Sequence, residues 1–213
     1  MAIQKNGPNG AFIGKVGSVF GYVLNGQNII RGARKPSTKQ PSAAELLNRE
    51  KMKVMANFLG PIYPVLRYGY KELAPKGARV GAVQLAQSHV RKECVELDDQ
   101  GVPFVNPEKV LVFRGSLEPP RECEMQREGN SLHFRWRVNP VHQDSFYQLN
   151  VLIYKVDAAL VDLRIALTEA SAGQCTIESS VLSTNDNPTH VYVGVVDTYK
   201  EILSDSVYLG VVG

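Results

Sequence analysis

The 213-residue chain predicts a mainly β protein of the α+β class, with an α-helical insert in its N-terminal half and an antiparallel β-sandwich at its C-terminal end. Three observations predict this. From about residue 106 onward, apolar residues recur with a period of two in run after run, and turn residues separate the runs. Between Ser42 and Val95 the apolar spacing is helical. Before Ser42 lies a glycine-rich stretch with basic residues and no acidic one. The chain therefore divides into a basic arm with a β-hairpin (1–41), a helical segment (42–105) and a sandwich domain (106–213).

Gly10 to Arg31 reads GAFIGKVGSVFGYVLNGQNIIR. Asn25-Gly26 signals a hairpin, because both central positions of a type I′ turn need positive φ. The turn separates Val19–Leu24 from Gln27–Arg31. Gly10, Gly14, Gly17 and Gly21 have a helix-like spacing, but four interior glycines cost a helix about 1 kcal/mol each, so strand or extended arm is favoured. Glycine in a strand lets another backbone or a large side chain come close. The segment thus reads as built to lie against something, with Lys15, Val19, Phe20, Tyr22, Arg31, Arg34 and Lys35 as its candidate contact residues. A polar linker, Lys35 to Pro41, follows.

Ser42-Ala-Ala-Glu45 has the spacing of a capping box and predicts a helix start. Leu46, Leu47, Met52, Met55 and Leu59 give that helix an apolar stripe, ended by Gly60-Pro61. Ile62 to Leu73, with Tyr63, Leu66, Tyr70 and Leu73, reads as a second helical or irregular segment, and Val80 to about Val95, with Val83, Leu85, Ala86, His89 and Val90, as a third.

After the turn Asp98 to Gly101, Lys109–Arg114 reads as the first sandwich strand and Arg121–Arg127 as the second. Ser131–Val138 alternates cleanly, with Leu132, Phe134, Trp136 and Val138 on one face and His133, Arg135 and Arg137 on the other. The pattern returns at Leu149, Val151 and Ile153, at Val161, Leu163, Ile165 and Leu167, at Val191, Val193 and Val195, and at Val207, Leu209 and Val211. Turns lie between, at Gly129-Asn130, Asn139-Pro140, Ser171 to Gly173 and Asn185 to Pro188. Seven strands so spaced, with one Trp early in the domain, give an immunoglobulin/fibronectin III-like sandwich. A parallel sheet would need a helix between strands.

Charge separates the halves. Residues 1–90 hold thirteen Lys or Arg against three acids, a net +10, and residues 91–213 hold eleven against eighteen, a net −7. Such asymmetry points to an acidic partner, such as nucleic acid, or to another copy of the chain whose acidic half meets the basic half of its neighbour. The bland alternative is a solvated basic tail. The start of the chain lacks the apolar stretch and cleavage site of a secretory signal, and no eighteen consecutive residues are apolar. Sec export and membrane insertion are not expected. The compartment stays open, since export by a dedicated route or release in a virus particle leaves no such trace.

The segment Gly14-Lys-Val-Gly-Ser-Val-Phe-Gly-Tyr22 anchors a resemblance to a known family. With the Asn25-Gly26 turn, Ile29 to Arg31, Leu46 to Met52, Lys109 to Gly115 and Ser204 to Gly210, the chain resembles an uncharacterised family from Bacteroidetes defined only as a domain of unknown function. Leu24 departs from it, standing where such sequences tend to carry a basic or aromatic residue. The resemblance implies a bacterial or phage origin and the boundaries above, and it assigns no catalytic residue.

Motifs for chemistry are weak. The three cysteines show no CxxC pairing, and the four histidines show no HExxH or HxH spacing, so no metal site and no cofactor is expected. Lys15 lies in a near-match to a phosphate-binding loop, but Val16 stands where Ser or Thr is needed. His142 to Ser145 contains triad residue types in a local run that reads as a polar loop. The sequence thus argues against an enzyme. It favours a self-assembling structural protein, forming an oligomer or filament of extracellular or virion type, with other copies of itself as partners. A module binding carbohydrate or protein through sandwich loops is the second reading, and nonspecific nucleic-acid binding by residues 1–53 is the third.

Overall fold

The computed structural model of the protein describes residues 3–4, 7, 10–24, 26–33, 38–75, 77–183 and 188–212. The chain forms two compact units: an N-terminal unit, Met1–Ala43 with Lys76–Arg79, and a main unit, Ala44–Pro75 with Val80–Gly213.

The N-terminal unit is a four-stranded antiparallel meander of β1 (Ile3–Gln4), β2 (Phe12–Val16), β3 (Val19–Leu24) and β4 (Gln27–Gly32). Its tight turns follow from glycine. Val16 pairs with Val19 around Gly17-Ser18, with Gly17 at φ +56°, and Leu24 pairs with Gln27 across Gly26 at φ +80°. Asn25 of the expected hairpin turn lies outside the described residues, as do Arg34, Lys35 and Asn185 to Asn187.

The main unit begins with α1 (Ala43–Leu59), α2 (Tyr63–Gly69) and α3 (Ala82–His89), which continues as a π-helical turn, Val90–Cys94. A hairpin of β5 (Val95–Leu97) and β6 (Pro103–Val105) follows. The sandwich comprises β7 (Arg121–Glu128), β8 (Ser131–Arg137), β9 (Tyr147–Lys155), β10 (Leu160–Arg164), β11 (Gln174–Glu178), β12 (Thr189–Asp197), the two-residue β13 (Ile202–Leu203) and β14 (Val207–Val212). One sheet is ordered β11-β8-β7 and the other β10-β9-β12, with β13 and β14 both paired to β12.

The layering follows from β9 and β12, which pair in register over nine residues. Both are buried on both faces from Leu149 to Lys155 and from Thr189 to Asp197. Strand alternation sends Leu149, Val151, Ile153, Val191, Val193 and Val195 into a core with Leu132, Phe134 and Trp136 of β8. It sends Leu152, Tyr154 and Tyr192 into a second core with Met55, Phe58, Leu59, Ile62, Val65 and Leu66 of the helices. The helical residues therefore form a third layer on the sandwich. Their junction is also hydrogen-bonded: Tyr154 Oη donates to the Phe58 carbonyl at 2.7 Å, and Tyr192 Oη to the Pro107 carbonyl at 2.9 Å.

Several expectations are corrected. Lys109–Arg114 is not a sandwich strand. Val110, Val112 and Phe113 are buried in the helical core, and the backbone is tied to non-strand partners: Arg114 N donates to the Gly69 carbonyl and Val112 N to Ser206 Oγ. A Cβ at Gly69 would collide with the Val112 carbonyl. The strand paired to the outer edge of β8 is instead β11, which turns only Cys175 and Ile177 inward and carries no strand signal in the sequence. In α1, Leu46 and Met52 are exposed, because only the last turns, with Met55, Phe58 and Leu59, reach the core. Ile165 and Val211 are exposed as well. Positive φ at Ala166 (51°) and at Gly210 (106°), beside a bulge at Val191/Tyr192, resets the alternation, so Leu167 and Val212 turn into the sandwich core instead.

Trp136 is 7% exposed, and its Nε1 donates to the Ala170 carbonyl at 2.8 Å. Trp136→Ala is expected to cost about 3–5 kcal/mol, while Arg135→Ala on the solvated face should stay within about 0.5 kcal/mol. Urea denaturation measures both, and a Trp136→Ala protein with an unchanged midpoint would place this strand's faces the wrong way round. Gly69→Ala should lose about 1–3 kcal/mol in the same experiment, although alanine is the better helix former.

Candidate assembly surface

Register decides what the N-terminal sheet presents. Lys15 pairs with Phe20 and Phe20 with Arg31, while Tyr22 pairs with Ile29 and Leu24 with Gln27. Directly opposed residues share a face, and so do residues two apart. Lys15, Phe20, Tyr22 and Arg31 are therefore brought together on one face, with Leu24 and Ile29. The Arg31 guanidinium lies 5.5 Å from the centroid of the Tyr22 ring. Val19 points to the other face, with Phe12, Val16, Val23 and Ile30. Arg34 and Lys35 lie outside the described residues.

Apolar side chains stand open on both faces. Ile3 and Ile30 are each 63% exposed and Val16 57%, with Ile13, Phe20, Val23 and Leu24 also open. No large hydrophobic side chain of this unit is buried among the described residues. Gly21 is buried because Phe12 lies across it; a Cβ there would collide with the Phe12 ring and carbonyl. At one end, Leu24, Gln27 and Ile29 with Gly77 and Arg79 line a recess of about 310 Å³.

Linear spacing does not show this grouping, since no aromatic residue lies between Tyr22 and Phe58. The interleaving runs across strands. Alternation around the Asn25-Gly26 turn is the signal that would have given it.

On the main unit, a recess of about 500 Å³ lies on the outer face of β7, β8 and β11, lined by Glu124, Gln126, Glu128, His133, Arg135 and Thr176 among others. His133 Nδ1 is 2.8 Å from Thr176 Oγ1, and Nε2 is 3.2 Å from Glu128 Oε2. These are the polar, outward members of one-sided strands. Trp136 faces the opposite way, so it offers no platform for a sugar ring.

His142 is corrected from a polar loop to a buried side chain, 2% exposed and stacked 4.8 Å from Tyr147. Burial holds its pKa below the ordinary imidazole value, against an opposing pull from Glu118. Burial also pushes the thiols up, Cys94 and Cys175 to about 11 and Cys123 to about 12. All three cysteines are free. Among the described residues no group of three or more His, Cys, Asp or Glu is placed to hold a metal ion, and no helix is long and apolar enough to cross a membrane.

A thiol with a pKa near 11 is about one part in a thousand thiolate at pH 8. Iodoacetamide at pH 8 should therefore label the native cysteines slowly, and rapidly only once urea exposes them. Rapid labelling of the folded protein would show an activated thiol where burial allows none.

The comparisons with known proteins bear on the whole chain. The model of a family of unknown function, DUF6266, matches residues 11–210. No curated protein matches the chain. Among solved structures it is similar to the fn3 domain of human collagen alpha-1(XX) chain, with 14% identity over 45% of this chain and 86% of that one, at a TM-score of 0.33. Because the family model spans both the N-terminal sheet and the sandwich, the chain belongs to the family of unknown function DUF6266.

Proposed function

We propose that the protein is a structural component that assembles with further copies of itself, and that the N-terminal sheet is the surface through which it does so. One observation carries this reading. The four strands pair in an open antiparallel meander that exposes apolar side chains on both faces and buries no large one in a core among the described residues. An antiparallel sheet needs an apolar face covered by something to be stable in water.

Charge favours a second copy as the cover. The N-terminal unit holds eight Lys or Arg and no acid, and the main unit's sixteen bases and twenty-one acids leave it at −5. A surface of one kind meeting a different surface on the next copy is heterologous, so the assembly closes as a ring or extends as a filament. The resemblance at Gly14–Tyr22 favours a Bacteroidetes or phage setting, with an extracellular or virion-type assembly.

The full chain should form oligomers, and a chain of residues 42–213 should be a monomer with its β-sheet circular dichroism kept, since the main unit holds both cores. Light scattering on size-exclusion fractions checks this. An identical mass distribution for the two chains would overturn the proposal.

The grouping of Phe20 and Tyr22 with Lys15 and Arg31 favours one further reading, single-stranded nucleic acid laid on the same face. Binding of that kind is nonspecific and falls steeply with salt. A filter-binding titration with random oligonucleotides should lose most of its affinity between about 50 and 200 mM salt; selective binding that survives about 0.3 M salt would instead make nucleic acid the true partner.

A further inference from the structure

A sheet that is both apolar and cationic is complemented by a surface that is both apolar and anionic. The β5–β6 hairpin has that character. It is a two-stranded ladder, and no third strand joins it among the described residues. Val105 is buried in the helical core and Val95 packs against that core, so the hairpin is held firmly on the main unit. Yet Phe104, which pairs with Glu96 on the face turned away from Val95 and Val105, is 41% exposed, and Val102 is 53% exposed.

Residues 93–108 carry five acids, Glu93, Glu96, Asp98, Asp99 and Glu108, and no base. Two of these have work within the hairpin. Asp98 Oδ1 accepts from Gln100 N and Val102 N, which fixes the turn, and Glu96 Oε1 takes Lys109 Nζ at 2.6 Å. Glu93, Asp99 and Glu108 are exposed and form no ion pair among the described residues. Glu93 acts electrostatically on Lys109, while the negative charge of Asp99 and Glu108 is left for something outside.

We propose that the β5–β6 hairpin is the surface on which the N-terminal sheet of a second copy docks. Val102 and Phe104 cover apolar residues of that sheet, and Asp99 and Glu108 lie opposite bases such as Lys15 and Arg31. The inference rests on the assembly reading above. It makes each copy both donor and acceptor, through surfaces that differ, which is the geometry of a growing chain of subunits.

Charge reversal tests it on the full chain. Asp99→Lys with Glu108→Lys leaves Asp98 and Glu96 in place, so the turn keeps its hydrogen bonds, and circular dichroism verifies the fold. The assembly constant from concentration-dependent light scattering should weaken by about tenfold or more. Adding Lys15→Glu and Arg31→Glu to the same protein should bring it back to within a few-fold of the wild type. Unweakened assembly of the first variant would overturn the hairpin as acceptor and leave the assembly role of the N-terminal sheet untouched. Weakening without recovery in the combined variant would overturn the pairing of these two surfaces. A wild type that stays monomeric throughout would overturn the assembly reading itself.

Discussion

The β9–β12 ladder is the element on which the main unit depends. A strand pair buried on both faces must satisfy every backbone group within its sheet and every polar side chain locally, because water reaches neither. The structure meets that demand at particular residues. Asn150 is fully buried; its Nδ2 donates to Tyr68 Oη at 3.1 Å and its Oδ1 accepts from Ala166 N at 2.9 Å. Ser204 Oγ accepts from Val195 N and donates to the Asp205 carbonyl. The same alternation that sends valines to the sandwich sends Tyr154 and Tyr192 to the helices, where their hydroxyls fix Phe58 and Pro107. One ladder thereby orders two cores.

The N-terminal unit is built on the opposite terms. Its strands pair in an open meander, and none of its described large apolar side chains is buried. Gly21 and Phe12 show that the sheet is shaped with care, since an aromatic ring fills the space a side chain would take. The apolar surface that remains is the kind a partner covers. The whole unit holds no acid, so in the assembly we propose its charge favours a negative surface over a second sheet of its own kind. Attraction of this sort is screened over about 8 Å at physiological salt, so in that assembly it would steer and select while apolar contact holds.

Much of the fold was legible in the sequence because it rests on periodicity. β8 reads directly from Leu132, Phe134 and Trp136, and the turn at Gly26 fixes the β3–β4 pairing. Legibility ends where the partner of a segment is not local. Val110, Val112 and Phe113 have a strand's pattern, yet their backbone bonds go to Gly69 and Ser206, which no spacing reveals. β9 and β12 were read as one-sided because valine on one face hid the tyrosines on the other. At Ala166 and Gly210 a left-handed residue shifts the alternation by one, and a non-glycine such as Ala166 gives no warning of it. Of the candidate contact residues, four of those described share a face and Val19 does not. That division depends on register, which the linear list did not use.

The central claim is that the N-terminal sheet becomes covered when copies meet. Amide hydrogen exchange read by mass spectrometry, followed against protein concentration, tests it most directly. Residues 12–32 should exchange quickly in dilute protein and become protected as concentration rises, while the β9 and β12 amides stay protected throughout. Exchange of residues 12–32 that is equally fast at every concentration would contradict the account.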